Sequence, residues 1–211
     1  MKIFNVFQPD LKRGAEHLPF DPEKAYAYVE HPTEGWRVYL RSVVFVHDPF
    51  QPKNRSRFLV VKRTGARPST PTWEPSKGQM EGKEFRGQSG MSLLELLKNS
   101  ARRETAEEMH IHELEDLKHT GLVFQSQEKD FPPNWFFQYH IFSATAPPHA
   151  IQSAFDTFEW AKEHPRAFAR WTRDRREKDA ISWFHPRTTP LNPRWCPEIV
   201  AGYLGTKWDQ S

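Results

Sequence analysis

Six consecutive residues, Arg103-Glu-Thr-Ala-Glu-Glu108, constrain this chain more than any other feature it has. In a helix, residues three and four apart are neighbours, so Glu104, Glu107 and Glu108 share one face. Like charges placed in this way repel at roughly 0.3 kcal/mol per pair unless a cation sits among them. Oxygen ligands on a rigid element suit a hard cation such as magnesium or manganese. A solvated helix face is the other reading that the hexapeptide alone leaves open.

The start of that helix is legible upstream. Ser92 followed three residues later by Glu95 reads as a capping box, which predicts a helix opening at Leu93. Leu94, Leu97, Ala101 and Thr105 recur every three or four residues and form a packing face. Ser100, Glu104, Glu107 and Glu108 fall on another, available for chemistry.

Trp73-Glu-Pro75-Ser-Lys77-Gly78-Gln-Met-Glu81-Gly82-Lys-Glu84, followed by Arg103-Glu104-Thr105-Ala-Glu107-Glu108-Met-His110-Ile111, resembles the signature of the Nudix hydrolases. That signature reads Gly, five residues, Glu, seven residues, Arg-Glu-U-x-Glu-Glu-x-Gly-U, with U aliphatic. Gly78 and Glu84 have its spacing, and Arg103, Glu104, Glu107, Glu108 and Ile111 match its second half. Three departures stand out. Thr105 replaces an aliphatic residue, His110 replaces glycine, and eighteen residues rather than seven separate Glu84 from Arg103, an insertion of eleven. Glu95 has the regular spacing from Arg103, so Glu84 and Glu95 both qualify for the first-glutamate role.

The inserted residues, about 85 to 95, include the polar, glycine-flanked stretch Gly87-Gln88-Ser89-Gly90. Lengthening a surface loop is cheap, at about 0.6 kcal/mol per doubling. The glycine position of the signature often ends a helix at positive φ, which histidine tolerates better than a β-branched residue.

Composition bounds the rest. A chain of 211 residues that is 37% hydrophobic and 14% aromatic can bury a full core, which fits a single domain over residues 1–211. The lone cysteine, Cys196, cannot form an intramolecular disulfide, and no apolar run has the length of a membrane span or signal sequence. A cytoplasmic location and no membrane partner are therefore expected. A formal net charge of +3 leans only mildly toward anionic partners.

Around the signature, Trp36 to His47 and Arg57 to Arg63 read as strands separated by the turn signals Pro49, Pro52 and Asn54. Pro68, Pro71 and Pro75 mark an extended approach to Gly78. Gly121 to Gln125, Trp135 to Ser143 and Ile181 to Phe184 read as further strands, and Pro197 to Leu204 as a closing helix. This alternation predicts an α/β fold, and the resemblance implies a Nudix-type mixed sheet flanked by helices over roughly residues 36 to 206.

Residues 150–179 add a helical elaboration to that plan. Phe155, Phe158, Trp160, Ala161, Phe168, Ala169 and Trp171 predict two short helices broken at Pro165. Arg166, Arg170, Arg173, Arg175, Arg176 and Lys178 interleave with or follow these aromatics, a pattern that can hold RNA. It equally describes a surface hairpin with buried rings and solvated cations.

The resemblance implies metal-assisted attack of water on phosphorus in a nucleoside diphosphate linked to another group. It implies that Glu107 and Glu108 bind magnesium or manganese, that Glu104 binds metal or takes the proton of water, and that Arg103 orients a carboxylate. It adds the backbone carbonyl of Lys77, just before Gly78, to the metal site, and a carboxylate from a later loop, for which Glu128 and Asp130 are candidates. The opening from Trp73 to Glu81 is similar to that of diadenosine polyphosphate hydrolases, which makes dinucleoside polyphosphates the leading substrates. Candidate substrate contacts are Lys77, Glu84, Glu128 and Trp135, the last as a ring for stacking on a base. His119, His140 and His185 have no assigned role. Two other readings remain open: removal of the 5′ cap or 5′ pyrophosphate of RNA, and a binding or regulatory protein without turnover.

Overall fold

The computed structural model describes residues 2–51, 53–66, 69, 72–88 and 90–205. Pro52, Pro68, Pro71 and Ser89, used above as turn and loop signals, lie outside the described residues, as does residue 206. In chain order the elements are β1 (Lys12–Leu18), β2 (Asp21–Glu30), β3 (Arg37–His47), β4 (Leu59–Arg63), β5 (Trp73–Glu74), β6 (Ser76–Gln79), α1 (Leu93–Met109), β7 (Glu115–Ser126), β8 (Trp135–Thr145), α2 (Pro148–Glu163), α3 (Pro165–Phe168), β9 (Lys178–Trp183) and α4 (Cys196–Leu204). Antiparallel ladders join β1 to β2, β2 to β3, and β4 to both β5 and β9, and a parallel bridge joins Trp73 to Leu191. The fold is thus the mixed α/β arrangement expected. Among the described residues no helix is long and apolar enough to cross a membrane.

The chain divides into two compact units, and β3, β6, β7, β8 and α1 each run from one into the other. The first unit comprises Met1–Val43, Gly78–Ala101 and Gly121–Ile141. Its sheet has the order β1-β2-β3-β8-β7, with β6 also paired to β3. β3 is rich in β-branched and aromatic residues and buried almost throughout, as a central strand must be.

The β1–β2 hairpin lies in a stretch for which the sequence predicted no element. Ala25-Tyr-Ala-Tyr-Val29 lacks the apolar-polar alternation that marks a strand, yet it pairs with β1 from Lys12↔Glu30 to His17↔Ala25 and, after a bulge, at Leu18↔Asp21. The hairpin also receives the short 3-10 turn Gly82–Glu84. Ala27 N–H donates to the Met80 carbonyl at 2.8 Å, and a Cβ on Gly82 would lie 2.6 Å from Ala15 Cβ. Leu18, Tyr26, Tyr39 and Phe137 form a core here, with Tyr28, Phe131 and Trp135 packed against it.

The second unit comprises Val44–Lys77, Arg102–Thr120 and Phe142–Ser211. Its three-stranded sheet has the order β5-β4-β9. Phe45 stacks on Tyr203 at 3.8 Å and Phe58 on Phe184 at 4.5 Å, which fixes α4 by its aromatic ring. α2 is sixteen residues long rather than short, and the chain breaks at His164 before Pro165 opens α3. β9 begins at Lys178, three residues before the predicted Ile181, so Lys178 belongs to a sheet rather than to the cationic helical segment.

Candidate functional site

α1 opens where the capping signal placed it. Ser92 Oγ accepts the Glu95 N–H at 3.2 Å, and the helix runs from Leu93 to Met109. It ends at His110 with φ 58, the left-handed conformation expected of that position. The predicted faces are partly redrawn: Leu94 is only half-buried, whereas Ser100 and Glu108, expected among the chemical residues, are buried together with Leu97, Ala101 and Thr105. Ser100 lies three residues from Leu97 and Glu108 three from Thr105, so the helical period carries both onto the buried side.

In the second unit the signature carboxylates fall into two sets. Arg103 Nη2 lies 2.7 Å from Glu104 Oε1 and Arg103 Nη1 lies 2.7 Å from Glu107 Oε2, so one guanidinium holds two carboxylates. Their side chains keep 12% and 23% exposure, enough to meet solvent. Glu108 turns the other way. Its Oε2 accepts the Lys77 N–H at 2.8 Å and its Oε1 lies 2.8 Å from Lys178 Nζ.

Lys178 also bonds Glu74 Oε1 and lies 3.7 Å from Glu177, while Asn192 Nδ2 donates to Glu74 Oε2 at 2.8 Å. Glu74, Glu108 and Lys178 are all buried. Two carboxylates therefore share one ammonium out of water, and only one of them is fully compensated. Burial works against ionisation of Glu74, but Lys178 and Lys77 overcome it and hold Glu74 below the usual carboxylate range. Burial lifts Glu108 to about 7, Lys178 opposing and Glu177 and Glu74 adding to the rise. Lys178 is raised despite its burial by Glu108 and Glu74. Sequence reasoning missed Glu74 and counted Lys178 as a surface cation; the available signal was that Lys178 keeps the two-residue parity of buried Ala180.

Lys77 is half-buried, with its Nζ 5.0 Å above the Trp195 ring. Gly78 is buried in β6, within the first unit. In that unit Glu84 Oε2 accepts the Glu81 N–H at 2.8 Å and caps the Gly82–Glu84 turn. Glu95 is exposed and pairs with Lys98 at 2.7 Å. Glu128 Oε1 lies 3.2 Å from Arg41 Nη1, whose Nε donates to Gln79 Oε1 at 3.0 Å, while Asp130 is exposed. Trp135 has Arg37 4.9 Å above its ring, and Arg37 also lies 3.9 Å over Tyr28. The structure thus assembles Arg103 with Glu104 and Glu107, and Lys77 with Glu108. Glu84, Glu95, Glu128 and Trp135 each have a local partner in the first unit.

His119 and His140 pack against rings, whereas His185 is exposed and bonds within a turn. His119 stands edge-on to Phe142 at 5.1 Å and His140 to Phe7 at 5.6 Å, and the His185 ring nitrogen accepts the Arg187 N–H at 3.3 Å.

Among the described residues no group of three or more His, Cys, Asp or Glu side chains is arranged to hold a metal ion. A pair suffices for one class of ion: magnesium is commonly held by one or two carboxylates, with water and substrate phosphates completing its shell. Glu104 and Glu107 fit that description. Glu108 fits it less well: it is buried, accepts the Lys77 N–H, and already has a cation beside it in Lys178 at 2.8 Å.

No protein-family model matches this chain, and no curated relative matches it. Among solved structures the chain is similar in fold to the E. coli ORF135 protein, at 12% identity and a TM-score of 0.45, over 83% of this chain and 94% of that one. It is similar likewise to a Nudix hydrolase from Nitrosomonas europaea, at 12% identity and a TM-score of 0.44, over 82% and 93%.

Proposed function

We propose that this protein is a Nudix-type pyrophosphohydrolase that uses magnesium or manganese to cleave a nucleoside diphosphate linked to another group, with dinucleoside polyphosphates the leading substrates. The observation that carries the reading is the Arg103 clamp, which holds Glu104 and Glu107 side by side at 2.7 Å on the accessible side of α1. Glu104 and Glu107 would hold the metal. When bound, the ion would neutralise charge on the phosphate oxygens and lower the pKa of water. Arg103 fixes the orientation of both carboxylates, so little reorganisation is required when substrate arrives. Glu104, with Oε1 anchored on Arg103, has its second oxygen for one of two roles, completing the metal's shell beside Glu107 or taking the proton of the attacking water. Lys77, held over Trp195, offers its ammonium to a polyphosphate.

The test is purified protein with magnesium or manganese against diadenosine polyphosphates, other nucleoside diphosphate derivatives and capped RNA, with products resolved by chromatography. Cleavage of a phosphoric anhydride that stops in excess chelator and in Glu107→Gln is expected. Absence of turnover on the whole panel would overturn the reading and leave a binding protein.

A further inference from the structure

Lys178 is a lysine at 1% exposure in a strand of the second unit, and nothing in the proposed reaction uses it. A buried ammonium is costly and persists only where carboxylates compensate it. Here it has two. It contacts Glu74 Oε1 and lies 2.8 Å from Glu108 Oε1, while the remaining oxygens accept from Asn192 Nδ2 and from the Lys77 N–H, each at 2.8 Å. All four oxygens of the two carboxylates are engaged by protein donors. Glu104 and Glu107 differ in burial: their side chains keep 12% and 23% exposure, against 4% for Glu108.

We infer that Lys178 occupies, as a covalently attached cation, the charge position beside Glu108, so that Glu108 does not ligate the metal and divalent binding rests on Glu104 and Glu107. Lys178 is then a positioning residue: it fixes Glu108, and Glu108 in turn fixes the backbone of Lys77 through its N–H. The inference rests on the proposal that Glu104 and Glu107 hold a divalent ion. It predicts an unusual division of labour, in which the last two glutamates of the signature, adjacent in sequence, serve a metal and a lysine respectively.

The test is manganese binding, followed by electron paramagnetic resonance and calorimetry, with thermal melts in parallel. Glu107→Gln is expected to weaken manganese about tenfold or more, and Glu108→Gln to leave its affinity within about twofold of wild type. Lys178→Met leaves Glu74 and Glu108 without their cation, so it is expected to lower the melting temperature in metal-free buffer. Manganese is then expected to raise it by more than it raises wild type, with one additional ion bound per chain. Lys178→Arg, which keeps the charge, is expected to bind no additional ion. Loss of manganese affinity of tenfold or more in Glu108→Gln would overturn the inference, as would a metal-induced melting shift in Lys178→Met no larger than that of wild type. If Lys178→Met does not fold, the Glu108→Gln titration decides alone. Should wild type bind no manganese, the hydrolase reading falls and takes the inference with it; manganese that wild type binds but Glu108→Gln binds at least tenfold more weakly overturns the inference alone.

Discussion

The edge of the Trp171 ring meets His110 at 5.3 Å and 83°, closing over a histidine that ends α1. Phe158 lies 5.0 Å from the same imidazole, and among the described residues neither ring nitrogen has a hydrogen-bond partner. Burial, then Arg175 and His112, hold His110 neutral by lowering its pKa from 6.5 to about 4. A depressed folded-state pKa contributes stability that is fully present above the unfolded value and is lost as pH falls through the folded one. The window is therefore pH 6.5 down to about 4, and the whole of it is worth about 3 kcal/mol. His110→Phe keeps a ring and removes the titration. Its melting temperature is expected to fall less steeply than that of wild type across this window, as thermal melts at stepped pH would reveal; parallel curves would contradict the neutral buried ring.

Arg103 bonds two carboxylates through separate nitrogens, which a single ammonium cannot reproduce in the same geometry. Arg103→Lys is expected to lower kcat about tenfold to a hundredfold while the fold persists, because Glu104 and Glu107 lose their fixed spacing. Glu107→Gln removes a metal oxygen charge and is expected to lower turnover by at least about a hundredfold. Steady-state kinetics with circular dichroism as a control for folding would check both, and wild-type rates in either variant would argue against the clamp as the working site.

How much of this was written in the sequence depends on the element. The start of α1 at Ser92 and the positive φ of His110 were legible because capping and chain reversal are local properties, decided by a few neighbouring residues. The strand from Arg37 to His47 was legible because its β-branched run has no other comfortable conformation. The β1–β2 hairpin was not, since its alanines and tyrosines read alike on both faces and its pairing is set by register. The split of the glutamates was also beyond reach. Helical geometry puts Glu104, Glu107 and Glu108 near one another, but which of them meets a lysine far along the chain is a tertiary fact.

Gly82 stands where any side chain collides. A Cβ built there would lie 2.6 Å from Ala15 Cβ and 3.5 Å from the Ala25 carbonyl oxygen, both on the β1–β2 hairpin. Neither atom is the tip of a flexible side chain, so accommodation requires backbone movement. Gly82→Ala is expected to cost about 1–3 kcal/mol by overpacking, read as a lower melting temperature. The pair Gly82→Ala and Ala15→Gly should recover much of the loss, and failure of that recovery would show that this close approach is not the cause.

The last prediction separates a nucleotide enzyme from one that acts on RNA. Removing Lys178 from the cationic segment leaves Arg166, Arg170, Arg173, Arg175 and Arg176, all exposed, with Arg175 4.9 Å over the Trp171 ring. A dinucleoside polyphosphate is held by a few local groups, whereas a capped RNA adds backbone phosphates, each released counterion steepening the salt dependence. Changing Arg173, Arg175 and Arg176 together to Gln is therefore expected to leave diadenosine polyphosphate hydrolysis within a few-fold of wild type. If RNA is the substrate, the same change should flatten the logarithmic salt slope of RNA binding by up to about three, one for each arginine–phosphate pair removed. Filter binding across a salt series, run beside nucleotide turnover, distinguishes the two. Tight RNA binding that collapses in the triple variant, together with negligible dinucleotide cleavage, would replace the dinucleotide reading with decapping.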